Sequence, residues 1–243
     1  KQCQSLLIMI LGCPHHYLTD SNLSLQNGFL RKRSNRTARS GSRPDYVSVV
    51  FKQQLGVDYN ETYAPTAKWV SLRIFLTIAA VKKMVTRQLD VKTAFLYAPL
   101  DEEIYIAVPE GLNDRNPFGL TREALARCRG EVLRLKKSLY GLKQAPRNWF
   151  TMLRNFLIDG GFTNLLSESC IFYKYSDDSL IIVIIFVDDI LIAGEKKYDI
   201  GILVESFQEK FSITDSGEVN VYLSINITRQ FNERAIILDQ TSY

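Results

Sequence analysis

Ligands for a structural zinc site are scarce in this sequence. It has four cysteines, Cys3, Cys13, Cys128 and Cys170, with no CxxC pair, and its two histidines, His15 and His16, are adjacent. Zinc-site spacing is therefore absent, and the plain reading is a reduced intracellular protein. Long apolar runs are also missing. The stretch 180–187 offers eight apolar residues before two aspartates, whereas a membrane span needs about 20. The run LLIMIL (6–11) follows a basic Lys1, but it is short for a secretory signal and the chain opens with Lys, so no signal peptide is expected. A strong overall charge is lacking too: the formal net charge is +4. The excess lies in RKRSNRTARSGSR (31–43), without which 24 basic residues face 26 acidic ones. That tail suits nucleic acid or, equally, a disordered solvated segment.

What is present is a chain able to bury a real core, 46% hydrophobic and 11% aromatic over 243 residues. Residues 1–45 show no sustained period and read as poorly ordered; the pattern becomes globular from about Val47. Helical spacing marks 71–83, with Ser71 as a possible N-cap, 145–162, with Pro146 near its start and Gly160–Gly161 at its end, and 198–211. Alternation or apolar runs predict strands starting at 84, at 102–111, at 131, at 170–175, on both sides of Asp188–Asp189, at 219–229 and at 235–240. Strands and helices do not alternate strictly, which argues for an α+β fold with an antiparallel sheet.

The stretch LIIVIIFVDDILIAG (180–194) sets Asp188 and Asp189 between two apolar strands. Asp177–Asp178, flanked by polar residues, makes an ordinary turn. Between apolar walls two carboxylates repel, and a divalent cation would relieve that cost. A third carboxylate is needed for two ions, and Asp90 in RQLDVKTAF, at the end of a strand, is the best candidate. Spacing alone would first make Asp90 a helix N-cap, and leaves Asp188–Asp189 balanced between an exposed hairpin tip and a site.

Three long segments, QLDVKTAFLYAPLDEEIYIAVPEG, LRLKKSLYGLKQAPRNWF and FVDDILIAG, closely resemble the reverse transcriptase of copia-type retrotransposons. GVDYNETYAPTAKWVSLR and YLSINI fit the same family in order, so the resemblance covers about 51–240. It implies a right-hand polymerase with palm and fingers, acting on an RNA template, a DNA primer and deoxynucleoside triphosphates. Asp90 and Asp188 would be the main ligands of two Mg²⁺ ions, with Mn²⁺ as the alternative, and Asp189 a supporting one. The backbone N–H groups of Val91 and Lys92 would hold phosphate oxygens. Phe95 would lie under the incoming sugar, although its own pattern reads as core. Gln144 would contact nucleotide or template, with Gly141 allowing close approach. Lys136, Lys137, Lys143 and Arg147 would bind the template–primer backbone, unless they form a solvated helix face. Phe186 and Val187 precede the aspartate pair, and Val187 would touch the primer end. The resemblance also implies integrase and RNase H parts of one polyprotein, a cytoplasmic virus-like particle and no membrane.

Residues 1–50 do not fit this resemblance. The family's basic fingers strand, similar to KARLVAKGF, is replaced by SRPDYVSVVF (42–51). The expectation is an atypical segment 1–50, disordered or out of frame, before a partial palm/fingers domain (51–243) with incomplete fingers and no full thumb. The frame hypothesis fails if genomic DNA holds no alternative frame encoding that strand. Two alternatives stay open: a catalytically inactive remnant with residual nucleic-acid binding, and a phosphoacceptor or other Mg²⁺-binding domain. The strand after Asp189 argues against the second.

Overall fold

The computed structural model describes residues 53–102, 104–107, 132–176, 178–230 and 235–240, together with two short strands near the N-terminus. In chain order the elements are β1 (Leu23–Gln26), β2 (Phe29–Lys32), α1 (Trp69–Val81), β3 (Val85–Val91), a 3₁₀ turn (Ala94–Tyr97), β4 (Tyr105–Ala107) and β5 (Val132–Arg134). Then follow α2 (Ala145–Asp159), β6 (Thr163–Asn164), β7 (Ile171–Ser176), β8 (Ser179–Phe186), β9 (Asp189–Gly194), α3 (Lys197–Lys210), β10 (Ile213–Gly217), β11 (Val221–Tyr222), β12 (Ile225–Gln230) and β13 (Ala235–Asp239). Mixed helices and antiparallel sheets make this an α+β chain, as the sequence predicts. It divides into two compact units: 64–94 with 150–243, and 1–63 with 95–149.

The first of these units holds a six-stranded antiparallel sheet in the order β10-β3-β9-β8-β7-β6. Its central strand β8 explains the apolar run met in the sequence. Seven of its eight residues, Ser179 to Ile185, are buried, so both faces are covered and no alternation survives. On one face Leu180, Ile182, Ile184, Leu191 and Ala193 pack with Leu72, Phe75, Leu76 and Ala79 of α1 and with Val219, Tyr222 and Ile227. On the other, α3 lies so close that a Cβ at Gly194 would meet Ile200 Cγ1 at 2.9 Å. Phe156 of α2 packs on Phe207 and Phe211 at 4.9 and 5.3 Å between ring centres. Each fully buried side chain of this size contributes about 1.5–3 kcal/mol.

Several expectations shift by a residue or two, and three change in kind. α1 starts at Trp69, so Ser71 is no cap; it is buried in the first turn and its hydroxyl donates to Glu168 at 2.8 Å. The strand expected over 219–229 is instead a hairpin, β11 and β12, folded at Leu223 and Ser224, both at positive φ (47° and 64°). Neither residue is the glycine or asparagine such a turn favours, so nothing local announced it. Within 1–50, β1 and β2 pair as an antiparallel hairpin. The dipeptide between them in sequence, Asn27–Gly28, is the strongest short-range hairpin signal. By contrast α2 ends as its sequence indicates. Gly161 takes φ +82°, its N–H bonds Ile158 O, and the Phe162 N–H bonds Leu157 O.

The other unit holds the β4–β5 pair, extended by backbone bonds from Leu135 N to Ile104 O (2.8 Å) and Ser138 N to Ala98 O (2.9 Å). Leu96, Leu135, Leu139, Leu142 and Trp149 are buried.

Candidate active site

The carboxylates singled out from sequence meet at one end of the six-stranded sheet. Asp90, the sixth residue of β3, is the direct cross-strand partner of Asp189, the first residue of β9. Opposed residues of an antiparallel pair point to the same face. Asp188 sits in the two-residue connection Val187–Asp188, closed by the Phe186–Asp189 pair. The turn therefore lies one residue earlier than an Asp188–Asp189 tip. The Val91 N–H donates to Asp188 O at 3.0 Å, tying the turn to β3.

That turn is strained. Val187 has φ +56°, a left-handed conformation that is a true outlier for a β-branched residue. Two-residue hairpins with positive φ at the first central residue ordinarily use glycine there. The buried strands on either side impose this shape.

The electrostatics are those of partly buried carboxylates, crowded further by like charge. Burial first, then its neighbour Asp90, raises the Asp188 carboxyl above the ordinary range, with its own backbone N–H pulling the other way. Burial first, then Asp188 and Asp90, raises Asp189, and a hydrogen bond from Gln88 opposes this. None of the groups that set these shifts is a lysine or arginine. A hard divalent cation suits such an oxygen-only donor set. Among the described residues, however, no three acidic, histidine or cysteine side chains are already gathered closely enough to hold a metal ion. The donor chemistry fits; the side chains stand apart.

Family comparison decides what this sheet end belongs to. Residues 25–243 match the model of the reverse transcriptase (RNA-dependent DNA polymerase) family. The chain belongs to the reverse transcriptase family. This reverse transcriptase domain is 36% identical over 194 residues to the retrovirus-related Pol polyprotein from transposon TNT 1-94 of Nicotiana tabacum, covering 79% of the chain and 14% of that protein. It is 32% identical over 216 residues to the Pol polyprotein from transposon RE1 of Arabidopsis thaliana, covering 87% and 14%. To the transposon Ty1-ER2 Gag-Pol polyprotein of Saccharomyces cerevisiae it is 32% identical over 144 residues, covering 56% and 7%. The chain thus spans about one-seventh of the length of the two plant relatives. Its copia-type character agrees with the resemblance read from the sequence. The family match begins at residue 25, inside the stretch 1–50 that the sequence sets apart.

The remaining predicted site residues of the reverse transcriptase domain are largely engaged with their own unit. The Val91 N–H is bonded as described, and the Lys92 N–H donates to Ser212 O at 2.9 Å. Both donors are thus committed within the sheet, while the Lys92 side chain is exposed. Phe95 is buried and stacks on Tyr140 at 4.2 Å. Gln144 is only 1% exposed; its amide accepts from Gln53 and donates to Asp58 O. Lys143 reaches Gln53 O and the Tyr59 hydroxyl. Lys137 donates to Tyr97 O at 2.9 Å. Arg147 pairs with Glu61 at 2.7 Å and also donates to Tyr63 O. Lys136 and Gly141 are exposed, the latter at φ +103°. Arg134 lies on β5, but its side chain is outside the described residues. No described helix is long and apolar enough to cross a membrane.

Two residues at this sheet end escape a motif reading. Gln88 sits two positions before Asp90, on the same strand face, and that spacing was available in the sequence. Tyr222 lies more than 30 residues further along the chain than the aspartate pair, and no local signal brings it here.

Proposed function

We propose that this domain carries out RNA-directed DNA synthesis, with the unit bearing Asp90, Asp188 and Asp189 as a polymerase palm and the 1–63/95–149 unit contributing the fingers side. The observation that carries the reading is the cross-strand pairing of Asp90 with Asp189 beside a strained turn that presents Asp188. Asp90 and Asp188 would hold two Mg²⁺ ions, or Mn²⁺, with Asp189 in support. Such ions, when bound, lower the pKa of a primer 3′-hydroxyl and offset triphosphate charge. The chain's own part is to fix the carboxylates on a sheet buried on both faces and to place Phe186 and Val187 beside them at the primer end.

Phe95, held by Tyr140, would line the sugar of the incoming nucleotide. Lys92 would act through its exposed ammonium, and the Val91 N–H only if its bond to Asp188 opens. Gln144 would act by holding the 53–58 loop, with Gly141 giving the close backbone approach. Lys136, Lys137, Lys143 and Arg147 would meet the template–primer phosphates. An RNA template, a DNA primer, polyprotein neighbours with integrase and RNase H, and a cytoplasmic particle complete the reading.

One observation favours the inactive-remnant reading: SRPDYVSVVF (42–51) stands where the family's basic fingers strand is expected. Primer extension on poly(rA)/oligo(dT) with Mg²⁺ separates the two. Incorporation that vanishes in an Asp188→Asn, Asp189→Asn variant supports the polymerase. A folded chain that incorporates nothing supports the remnant.

A further inference from the structure

We propose that Tyr222 is a positioning residue for Asp189, its hydroxyl donating to that carboxylate when the three aspartates gather around divalent cations. The inference rests on the polymerase reading above.

Tyr222 is 2% exposed, and its hydroxyl has no hydrogen-bond partner among the described residues. Its ring belongs to the cluster that covers the sheet face of Leu180, Ile182, Ile184, Leu191 and Ala193. It meets Phe186 edge-on at 6.4 Å and 79°, and Phe186 is the cross-strand partner of Asp189. Strand side chains alternate, so Asp189 shares the face of Leu191 and Ala193, and its partner Asp90 shares it too. The phenol is thus buried on the face to which both carboxylates belong. Burial first, then the charge of Asp189, raises its pKa, which keeps it a neutral donor.

Two mismatches stand side by side. A buried donor lacks an acceptor, although phenylalanine would fill the same volume without one. Three acceptor-only carboxylates repel each other without being gathered. One rotation of the Asp189 side chain answers both: the hydroxyl gains a charged acceptor, and Asp189 is fixed while still bonded by Gln88. Cys170 and, more weakly, Asp188 also bear on Tyr222; the Cys170 thiol is buried and pushed up to about 12, chiefly by burial. A neutral thiol is the weaker acceptor. Bonds of this kind, one step removed from a metal, typically change its affinity ten- to hundred-fold.

The test is Mn²⁺ binding, followed by the EPR signal of the free ion, beside thermal unfolding in EDTA. The chain is compared with Tyr222→Phe, Cys170→Ala and Asp188→Asn. Tyr222→Phe is expected to keep or raise its Tm yet bind Mn²⁺ about ten-fold more weakly, while Cys170→Ala binds it unchanged. If Tyr222→Phe binds as tightly as the parent and Asp188→Asn does not, the inference falls and the polymerase reading stands. If Tyr222→Phe loses stability and affinity together, or Cys170→Ala weakens binding equally, the hydroxyl does not position Asp189. If parent and Asp188→Asn bind alike, the metal reading falls and this inference with it.

Discussion

Replacing Asp189 with asparagine should make the metal-free domain more stable. Asp189 faces Asp90 directly across the β3–β9 ladder and follows Asp188 in sequence. Opposed side chains in such a pair begin about 5 Å apart at Cβ. Two unit charges at that distance cost about 3 kcal/mol at an effective dielectric constant near 20. The carboxylates are half-exposed, so solvent screening roughly halves this. Asparagine keeps the shape and can still accept from Gln88. The net gain is about 1–2 kcal/mol, which for a domain of this size raises Tm by about 2–8 °C. The pH dependence has a definite sign. Asp188 and Asp189 titrate above their ordinary 3.8 in the folded chain. The folded state therefore binds protons more tightly, and stability falls as pH rises from about 3.8 through the raised folded values. Above them the penalty is complete. Calorimetry in EDTA should show the Asn variant ahead at pH 7 and level with the parent near pH 3.5. Millimolar Mg²⁺ should then raise the parent's Tm and close the gap at pH 7. A variant that melts lower in EDTA at pH 7, or keeps its full advantage at acid pH, would refute the charge-repulsion reasoning.

Other outcomes follow from the same geometry. Gly194→Ala should lose about 1–3 kcal/mol by urea unfolding, because its Cβ meets Ile200 at 2.9 Å. Gly201→Ala, in the interior of α3 with no described residue within 4 Å of the added Cβ, should gain up to about 1 kcal/mol in the same assay. Arg147→Ala should cost at most about 1 kcal/mol in stability, since its pairing with Glu61 is exposed. If Arg147 also meets phosphate, the slope of log affinity for template–primer against log salt should fall by about one.

Much of the site was legible because motif residues sit on regular strands. Asp90 lies one residue before the end of a strand, and the run before Asp188 is too long and apolar to be a surface loop. Register was not legible. Whether Asp188 or Asp189 begins β9 depends on a turn at Val187 that no turn-forming residue marks, and the same holds for Leu223–Ser224. The engagement of basic residues was also hidden. Lys137, Lys143 and Arg147 read as a free basic surface, yet they find carbonyls, Tyr59 and Glu61, and these partners lie tens of residues away. Gln144 likewise looked available, but its burial depends on the loop at 53–58. Ser71 carried a capping signal, and a tertiary partner, Glu168, took its hydroxyl instead.

The positive φ at Val187 has a consequence for what can vary at this turn. A hairpin usually needs its loop residues to encode the bend. Here the bend is imposed by strands clamped between two packed layers. The loop positions are thereby released from spelling out their own geometry. A valine can stand where glycine would be asked for, and an aspartate beside it can be chosen for its oxygens alone. Shape is supplied from the interior of the sheet, and the tip is left free to vary in chemistry.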